Sequence, residues 1–239
     1  MSTYSNSIRK LLKIVDTPND FCVSSPSKIT VKGDSAFSLP AGPIGKGGTC
    51  PGATKACDGC YAMKGRHHFK TVQSAFIRNK KLLTRLNKHH GFNKAVALLS
   101  EMVPENATIF RIHESGDFYS QWYVQVWAKV VRSRPKVQFW AYTRSFHLDF
   151  SKLTRHSNFA LWASTDDYNK IQAEQFVKRY SNSKVKHAYG PWEHDRPLPE
   201  NSFACPVTSK KLKVEGACEK CMLCVVKDRV RKNVVFLAH

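Results

Sequence analysis

The sequence predicts an α/β fold: a partial or open (β/α) barrel of parallel strands with a cysteine-rich, metal-binding C-terminal segment. Three observations predict it. Between residues 108 and 189, strand-like and helical runs alternate at spacings of about 20 to 30 residues, which implies βαβ units with right-handed crossovers. No Gly-x-Gly-x-x-Gly turn follows any strand, so nothing recommends a doubly wound dinucleotide-binding sheet, the other arrangement such units allow. The cysteines fall into two groups, Cys50, Cys57 and Cys60, then Cys205, Cys218, Cys221 and Cys224, with Cys22 standing alone.

At 239 residues, with 42% hydrophobic and 11% aromatic residues, the chain can bury a core without disulfide staples. The expected organisation is an extended N-terminal lead-in over 1–48, a β/α catalytic core with its cysteine loop over 49–200, and a four-cysteine metal-binding segment over 201–239. Lys and Arg number 38 against 18 Asp and Glu, a net charge of +20. That excess is more than solubility needs and points to a polyanionic partner, nucleic acid first and DNA ahead of RNA. No run of about 18 apolar residues occurs, so no membrane partner is expected. Residues 1–20 lack the apolar stretch and cleavage site of a secretory signal, which makes a reducing cytoplasm the expected compartment. There, eight cysteines are better suited to metal than to disulfides.

Taken in order, Ser7 to Val15 fits a short basic helix, and Lys28 to Lys32 alternates like a strand. Gly42 to Thr49 is glycine-rich but lacks phosphate-loop spacing, and Lys46 is followed by Gly instead of Ser or Thr, so it reads as a flexible approach to the first cysteines. From Lys64 to Asn87, Phe69, Val72, Phe76, Leu82, Leu83 and Leu86 recur at helical spacing opposite a basic face. Lys64, Arg66, Lys70, Arg78, Lys80, Lys81 and Arg85 are the expected contacts to a nucleic-acid backbone. A second helix, Phe92 to Met102, follows Gly91. His67, His68, His89 and His90 are candidate fourth metal ligands, although histidines near basic helix ends are more often surface groups.

Strands are then expected at Thr108–His113, Val137–Tyr142, Asn158–Ala163 and Lys184–Tyr189, with helices at Tyr119–Val131, near Asp149–Arg155 and at Tyr168–Tyr180. Val234 to Leu237 reads as a closing strand. Parallel β/α folds place their chemistry at the carboxyl ends of the strands, and here those ends are polar. They read His113-Glu114-Ser115-Gly116-Asp117, Tyr142-Thr143-Arg144-Ser145, Ser164-Thr165-Asp166-Asp167 and Tyr189 through Asp195. Asp117, Asp166 and Asp167 are also suited to capping the helices that follow. Arg111, His113 and Glu114 stand out, because charged groups inside or ending a core strand need a partner or a ligand.

Three thiols at Cys-x6-Cys-x2-Cys are one short of a structural zinc site and leave an open position, as an iron-sulfur cluster or a catalytic metal does. The Cys218-x2-Cys221-x2-Cys224 run, completed by Cys205, follows the way ferredoxin-like loops wrap a [4Fe-4S] cluster, with zinc as the alternative. The expected cofactors are therefore one or two [4Fe-4S] clusters.

Cys-Pro-Gly-Ala-Thr-x-x-Cys-x-x-Cys-Tyr-Ala at 50–62, Phe-Arg-Ile-His-Glu-Ser-Gly-Asp-Phe-Tyr-Ser at 110–120, Trp-Ala-Tyr-Thr-Arg-Ser at 140–145 and the C-terminal cysteine run resemble the phage "gene product 88" family. The resemblance spans most of residues 45 to 225 and implies a phage protein in the host cytoplasm, without an activity. The cysteine loop is also similar to a phage family placed with radical S-adenosylmethionine enzymes, in which three cysteines hold the cluster and the fourth iron takes the cofactor. This chain departs from the usual radical motif in having six residues between its first two cysteines and Gly59 before the third.

Carried over, that likeness implies Cys50, Cys57 and Cys60 as cluster ligands and S-adenosylmethionine as cofactor. Glu114, Ser115, Asp117 and Tyr142 would line its site, with Arg111 or Arg144 for its carboxylate. Glu114, Asp117, His113, Arg111 and Arg144 form the candidate catalytic set. The favoured function is an iron-sulfur, radical-type enzyme that modifies nucleic acid. A deazaguanine-type nucleobase transglycosylase with a structural zinc is one alternative, since Ser115-Gly116-Asp117-Phe118 is faintly similar to a turn of those barrels. A non-catalytic, zinc-containing nucleic-acid-binding protein is the other.

Overall fold

The computed structural model describes residues 18–24, 26, 28–29 and 35–238. The helix expected over Ser7 to Val15, and most of the strand expected over Lys28 to Lys32, lie outside those residues; Lys28 and Ile29 form a turn.

Eight strands form one sheet: β1 (Val23–Ser24), β2 (Ala36–Phe37), β3 (Ile109–Ile112), β4 (Gln138–Thr143), β5 (Phe159–Thr165), β6 (Lys186–Trp192), β7 (Ser202–Ala204) and β8 (Asn233–Leu237). Their order is β1-β2-β3-β4-β5-β6-β8-β7, an open sheet with different strands at its two edges among the described residues. Among the described residues only the β1–β2 pair is antiparallel. The α/β class and the parallel core are as the sequence predicts.

The main helices are α1 (Lys70–Arg85), α2 (Gly91–Met102), α3 (Gln121–Ser133), α4 (Ser151–Thr154) and α5 (Lys170–Arg179), with a short α6 (Ala217–Cys221) near the C terminus. Because β3, β4, β5 and β6 are neighbours in both sequence and space, right-handed crossovers carry α3, α4 and α5 to the same face. On that face Phe110, Ile112, Phe139, Ala141, Phe159 and Leu161 pack with Leu83, Leu99, Tyr123, Trp127, Leu153 and Phe176. The opposite face, carrying Ile109, Trp140, Ala160, Trp162 and Ala188, packs with Ile29, Cys205, Val225 and Val230. Both faces of the sheet are therefore dry. That is why its strands read as near-continuous apolar runs.

Local chemistry shifts several boundaries. The basic helix begins at Lys70 instead of Lys64, because Lys64 is extended and Gly65 has φ 55°, which breaks the run into two short 3-10 turns. Ser120 caps α3, its Oγ accepting from the Tyr123 amide at 3.3 Å, so capping there does not fall to Asp117. Asn79, buried inside α1, ties the helix to the lead-in: it accepts from the Cys22 amide at 2.8 Å and donates to the carbonyls of Cys22 and Ser38. β1, β2 and β7, of two or three residues each, are too short to leave an alternating pattern.

Candidate metal centre at the strand ends

The first cysteine loop lies across the carboxyl ends of β3, β4 and β5, and each contact is traceable to a residue. Thr49 donates its hydroxyl to the Pro40 carbonyl at 2.8 Å and accepts from the Asp117 amide at 3.3 Å. Gly116, at φ 83°, leaves room for this, since a Cβ there would stand 2.5 Å from Thr49 Oγ1. Gly52 lies so close to the β4 end that an added Cβ would be 2.0 Å from the Arg144 carbonyl oxygen. Thr54 donates to Asp166 Oδ2 at 2.7 Å, and the Tyr61 hydroxyl donates to the Glu114 carbonyl while accepting from Arg111 Nη2 at 3.1 Å.

Cys50, Cys57 and Cys60 are free thiols, and Cys57 and Cys60 stand close enough to Cys50 that a charge on either would oppose its ionisation. Burial, and after it Asp117, pushes the Cys50 thiol up to about 12. Burial likewise raises Cys60, while Arg144 and Lys64 pull it back. Left to themselves such thiols stay protonated; a bound cation is what ionises them together. The donor chemistry thus fits a thiolate-held metal group with one position open. The sulfurs are neighbours rather than a closed cage: among the described residues, no three His, Cys, Asp or Glu side chains converge as a metal site.

The rim residues divide by what they touch. Asp117 is buried, and its carboxylate is occupied by Thr143 Oγ1 at 2.7 Å, the Arg144 amide at 2.8 Å and the Phe118 amide at 2.7 Å. Burial outweighs those donors and lifts its carboxyl to about 6. It locks the β3 end to the β4 end. Arg144 pairs with Asp166, which also receives Thr54, so this ion pair anchors the cysteine loop. His113, at φ 67°, turns to the helix side, where its Nε2 meets the Tyr123 hydroxyl at 3.0 Å and its ring centroid lies 4.7 Å from that of Phe118. Burial, then Arg111, lowers it to about 3, so it is neutral at ordinary pH.

Glu114 is half-buried at the rim, with His67 Nε2 3.8 Å from its Oε1. Ser115 is buried, and its hydroxyl meets no protein partner. Arg111 and Tyr142 stand on the sheet face away from the helices, the guanidinium 5.1 Å from the Tyr142 ring centroid. Of the four histidines singled out, His67 joins Glu114 and His68 and His89 are exposed; the side chain of His90 is outside the described residues.

The second group lies elsewhere. Cys205, Cys218 and Cys224 belong to the apolar cluster on the sheet face opposite α3, α4 and α5, where the short α6 lies, and Trp162 Nε1 donates to the Cys224 carbonyl at 2.9 Å. Cys218, Cys221 and Cys205 are each near enough to Cys224 to hinder its ionisation, and burial is the larger cause. All four are free.

On α1 and the turns before it, Lys64, Arg66, Lys70 and Lys81 are exposed. Arg78 pairs with Asp20 at 3.2 Å, and a shallow depression is lined by Ser74, Ile77, Arg78, Lys81, Leu82 and Arg85. Lys80 is committed to the protein itself, donating to the Gly47 and Gly48 carbonyls at 2.9 Å. It clamps the approach to the cysteine loop. Among the described residues no helix is long and apolar enough to cross a membrane.

Thr54, Tyr61 and Asp166, which fix the loop, are not in the candidate set read from sequence. Their partners are 112, 53 and 22 residues away along the chain, and only the Cys60-Tyr61-Ala62 tripeptide hinted at Tyr61.

Against known proteins, a family profile described as "Gene product 88" matches residues 12–227. "Gene 88 protein" of Mycobacterium phage L5 is 34% identical over 241 residues, covering 91% of this chain and 95% of that one. "Gene 88 protein" of Mycobacterium phage D29 is 31% identical over 240 residues, with the same coverage of 91% and 95%. No solved structure matches the chain.

Proposed function

This chain belongs to the gene product 88 family, and we propose that it is an iron-sulfur enzyme of the radical S-adenosylmethionine type that modifies nucleic acid, DNA foremost, in the host cytoplasm. The observation that carries this reading is the seating of the three-cysteine loop on the carboxyl ends of β3, β4 and β5, held by Thr49, Gly52, Thr54 and Tyr61. Parallel β/α folds do their chemistry at those ends, and the placing of α3, α4 and α5 on one face of sequentially ordered strands suits an open barrel. Cys50, Cys57 and Cys60 would hold the cluster, which with S-adenosylmethionine supplies one-electron chemistry.

The chain's own residues supply the rest. Among the described residues, the side chain of Glu114 accepts no hydrogen bond, which suits it to an amino group, and the buried Ser115 hydroxyl has no partner. Asp117 and Arg144 hold the rim in shape. The transglycosylase alternative is weaker, because the position before Ser115, where that turn would carry an aspartate, holds Glu114. The net charge of +20 and the exposed Lys64, Arg66, Lys70 and Lys81 beside the cysteine loop suit a phosphate backbone.

The test is the iron and sulfide content of protein purified without oxygen, with its visible absorption before and after dithionite. Wild type is expected to carry iron with matching sulfide and to bleach on reduction, and Cys57→Ala to lose one cluster's share. Equal iron in wild type and Cys57→Ala, or zinc alone without colour, would overturn the reading.

A further inference from the structure

Arg111 is a guanidinium planted in a core strand without an anion. Its Nε donates to the His113 carbonyl at 3.0 Å and its Nη2 to the Tyr61 hydroxyl at 3.1 Å, and it lies over the Tyr142 ring. Glu114 is near enough to favour its charge, but among the described residues no carboxylate forms an ion pair with Arg111. A half-buried cation of this kind needs a counter-charge.

The groups it faces are the thiols of the C-terminal segment. Cys205, Cys218 and Cys224 pack in one cluster with Tyr142, over whose ring Arg111 lies; burial raises the Cys218 thiol, and Arg111 and Lys28 pull it back. Lys28 also accepts the Cys218 amide at its carbonyl, at 3.0 Å, and its Nζ stands 6.0 Å from the Phe236 ring centroid. Among the described residues, then, two cations that form no ion pair with a carboxylate stand beside the C-terminal thiols.

We propose that Cys205, Cys218, Cys221 and Cys224 hold a second, tetrathiolate metal centre on the sheet face opposite α3, α4 and α5, with Arg111 and Lys28 as its counter-charges. Four thiolates around a zinc ion or a doubly positive [4Fe-4S] core leave two formal negative charges. Those two charges match the two cations, which removes most of the penalty of setting such a centre among Trp140, Trp162, Val225 and Val234. Loading releases the four thiol protons, so occupancy rises with pH. Among the described residues these side chains do not converge as ligands, so the proposed centre requires them to turn inward when metal binds. Arg111 positions the centre electrostatically, and through Tyr61 it also touches the first cysteine loop. This inference does not depend on the chemistry proposed for that loop.

Zinc, iron and sulfide per chain, measured in Cys57→Ala and in Cys221→Ser, separate the two sites. Cys57→Ala is expected to keep one metal centre, either one zinc or four irons with four sulfides, which also tells the two sources apart. Cys221→Ser is expected to lose that centre and keep whatever Cys57→Ala loses. Arg111→Met should weaken retention against a chelator by about 10–100-fold, with Arg111→Lys restoring most of it. If Cys221→Ser fails to fold, iodoacetamide mapping of native wild type decides. Protection of Cys205, Cys218, Cys221 and Cys224 that is lost on stripping the metal supports the centre. Unchanged protection, or no metal remaining in Cys57→Ala, overturns it and leaves the function proposed for the first loop standing or falling on its own test.

Discussion

The two cysteine groups are built in opposite ways. The first is strung along an irregular loop and fixed by polar contacts: a threonine to a buried backbone amide, a threonine to an ion-paired aspartate, a tyrosine to a strand-end carbonyl. The second is pressed against the sheet by Trp140, Trp162 and Val225, and its polar ties run to its backbone: the Cys205 and Cys218 amides donate to the Val235 and Lys28 carbonyls at 2.8 and 3.0 Å, and the Trp162 indole to the Cys224 carbonyl at 2.9 Å. Polar fixing at a rim leaves one side of a centre open to a ligand, whereas apolar packing on a sheet face encloses it. The three-thiol group sits at the rim and the four-thiol group on a sheet face, where Cys205 is buried and the other three are half-buried; this suits an open three-ligand centre and a closed four-ligand one.

The contrast can be broken from either side. Trp162→Ala should have the largest effect on the fold, a loss of about 3–5 kcal/mol in denaturant unfolding, because a fully buried indole and its bond to the Cys224 carbonyl both disappear. It should strip the second centre as well. Gly52→Ala should do the reverse. Its Cβ would overlap the Arg144 backbone, so the first loop lifts from the strand ends and loses its metal, for about 1–3 kcal/mol of stability. Metal analysis of the two variants in parallel would contradict the contrast if both centres were lost together in each.

A smaller effect is expected in the pH dependence of stability. The buried Asp117 carboxyl is raised from 3.8 to about 6. Between those values the folded state keeps a proton that the unfolded state has released. The contribution of this group to stability is therefore full below pH 3.8, falls as pH rises through about 6, and is flat above. In Asp117→Asn that fall should be missing from the difference between wild-type and variant unfolding curves. Smallest of all, Lys81→Gln should lower the slope of log affinity for DNA against log salt by about 0.9, one phosphate contact. Lys80→Gln should leave that slope almost unchanged and loosen the first loop instead, because Lys80 is bound to the Gly47 and Gly48 carbonyls.

The sequence made the parallel core legible because its strands and helices are long enough to carry periods of 2 and 3.6, as in Gln138–Thr143 and Gln121–Ser133. The cysteine groups were legible from spacing alone. What the sequence withheld is long-range or short. Strands of two or three residues carry no period, and Asp117 looks like a helix cap until Ser120 is seen in that role. Lys80 looks like its basic neighbours until its carbonyl partners, 32 and 33 residues away, are known. Arg111 was conspicuous as a charge in a core strand, yet nothing in the sequence tells that the thiols near residue 220 are what it faces.

The claim that matters most is that the first loop presents an iron with an open coordination position. Electron paramagnetic resonance of the dithionite-reduced protein, with and without S-adenosylmethionine, tests it most directly. A cluster signal that shifts on adding the cofactor in wild type, and is missing in Cys57→Ala, is the predicted result. A signal indifferent to the cofactor, or one that survives in Cys57→Ala with the same shift, would contradict it.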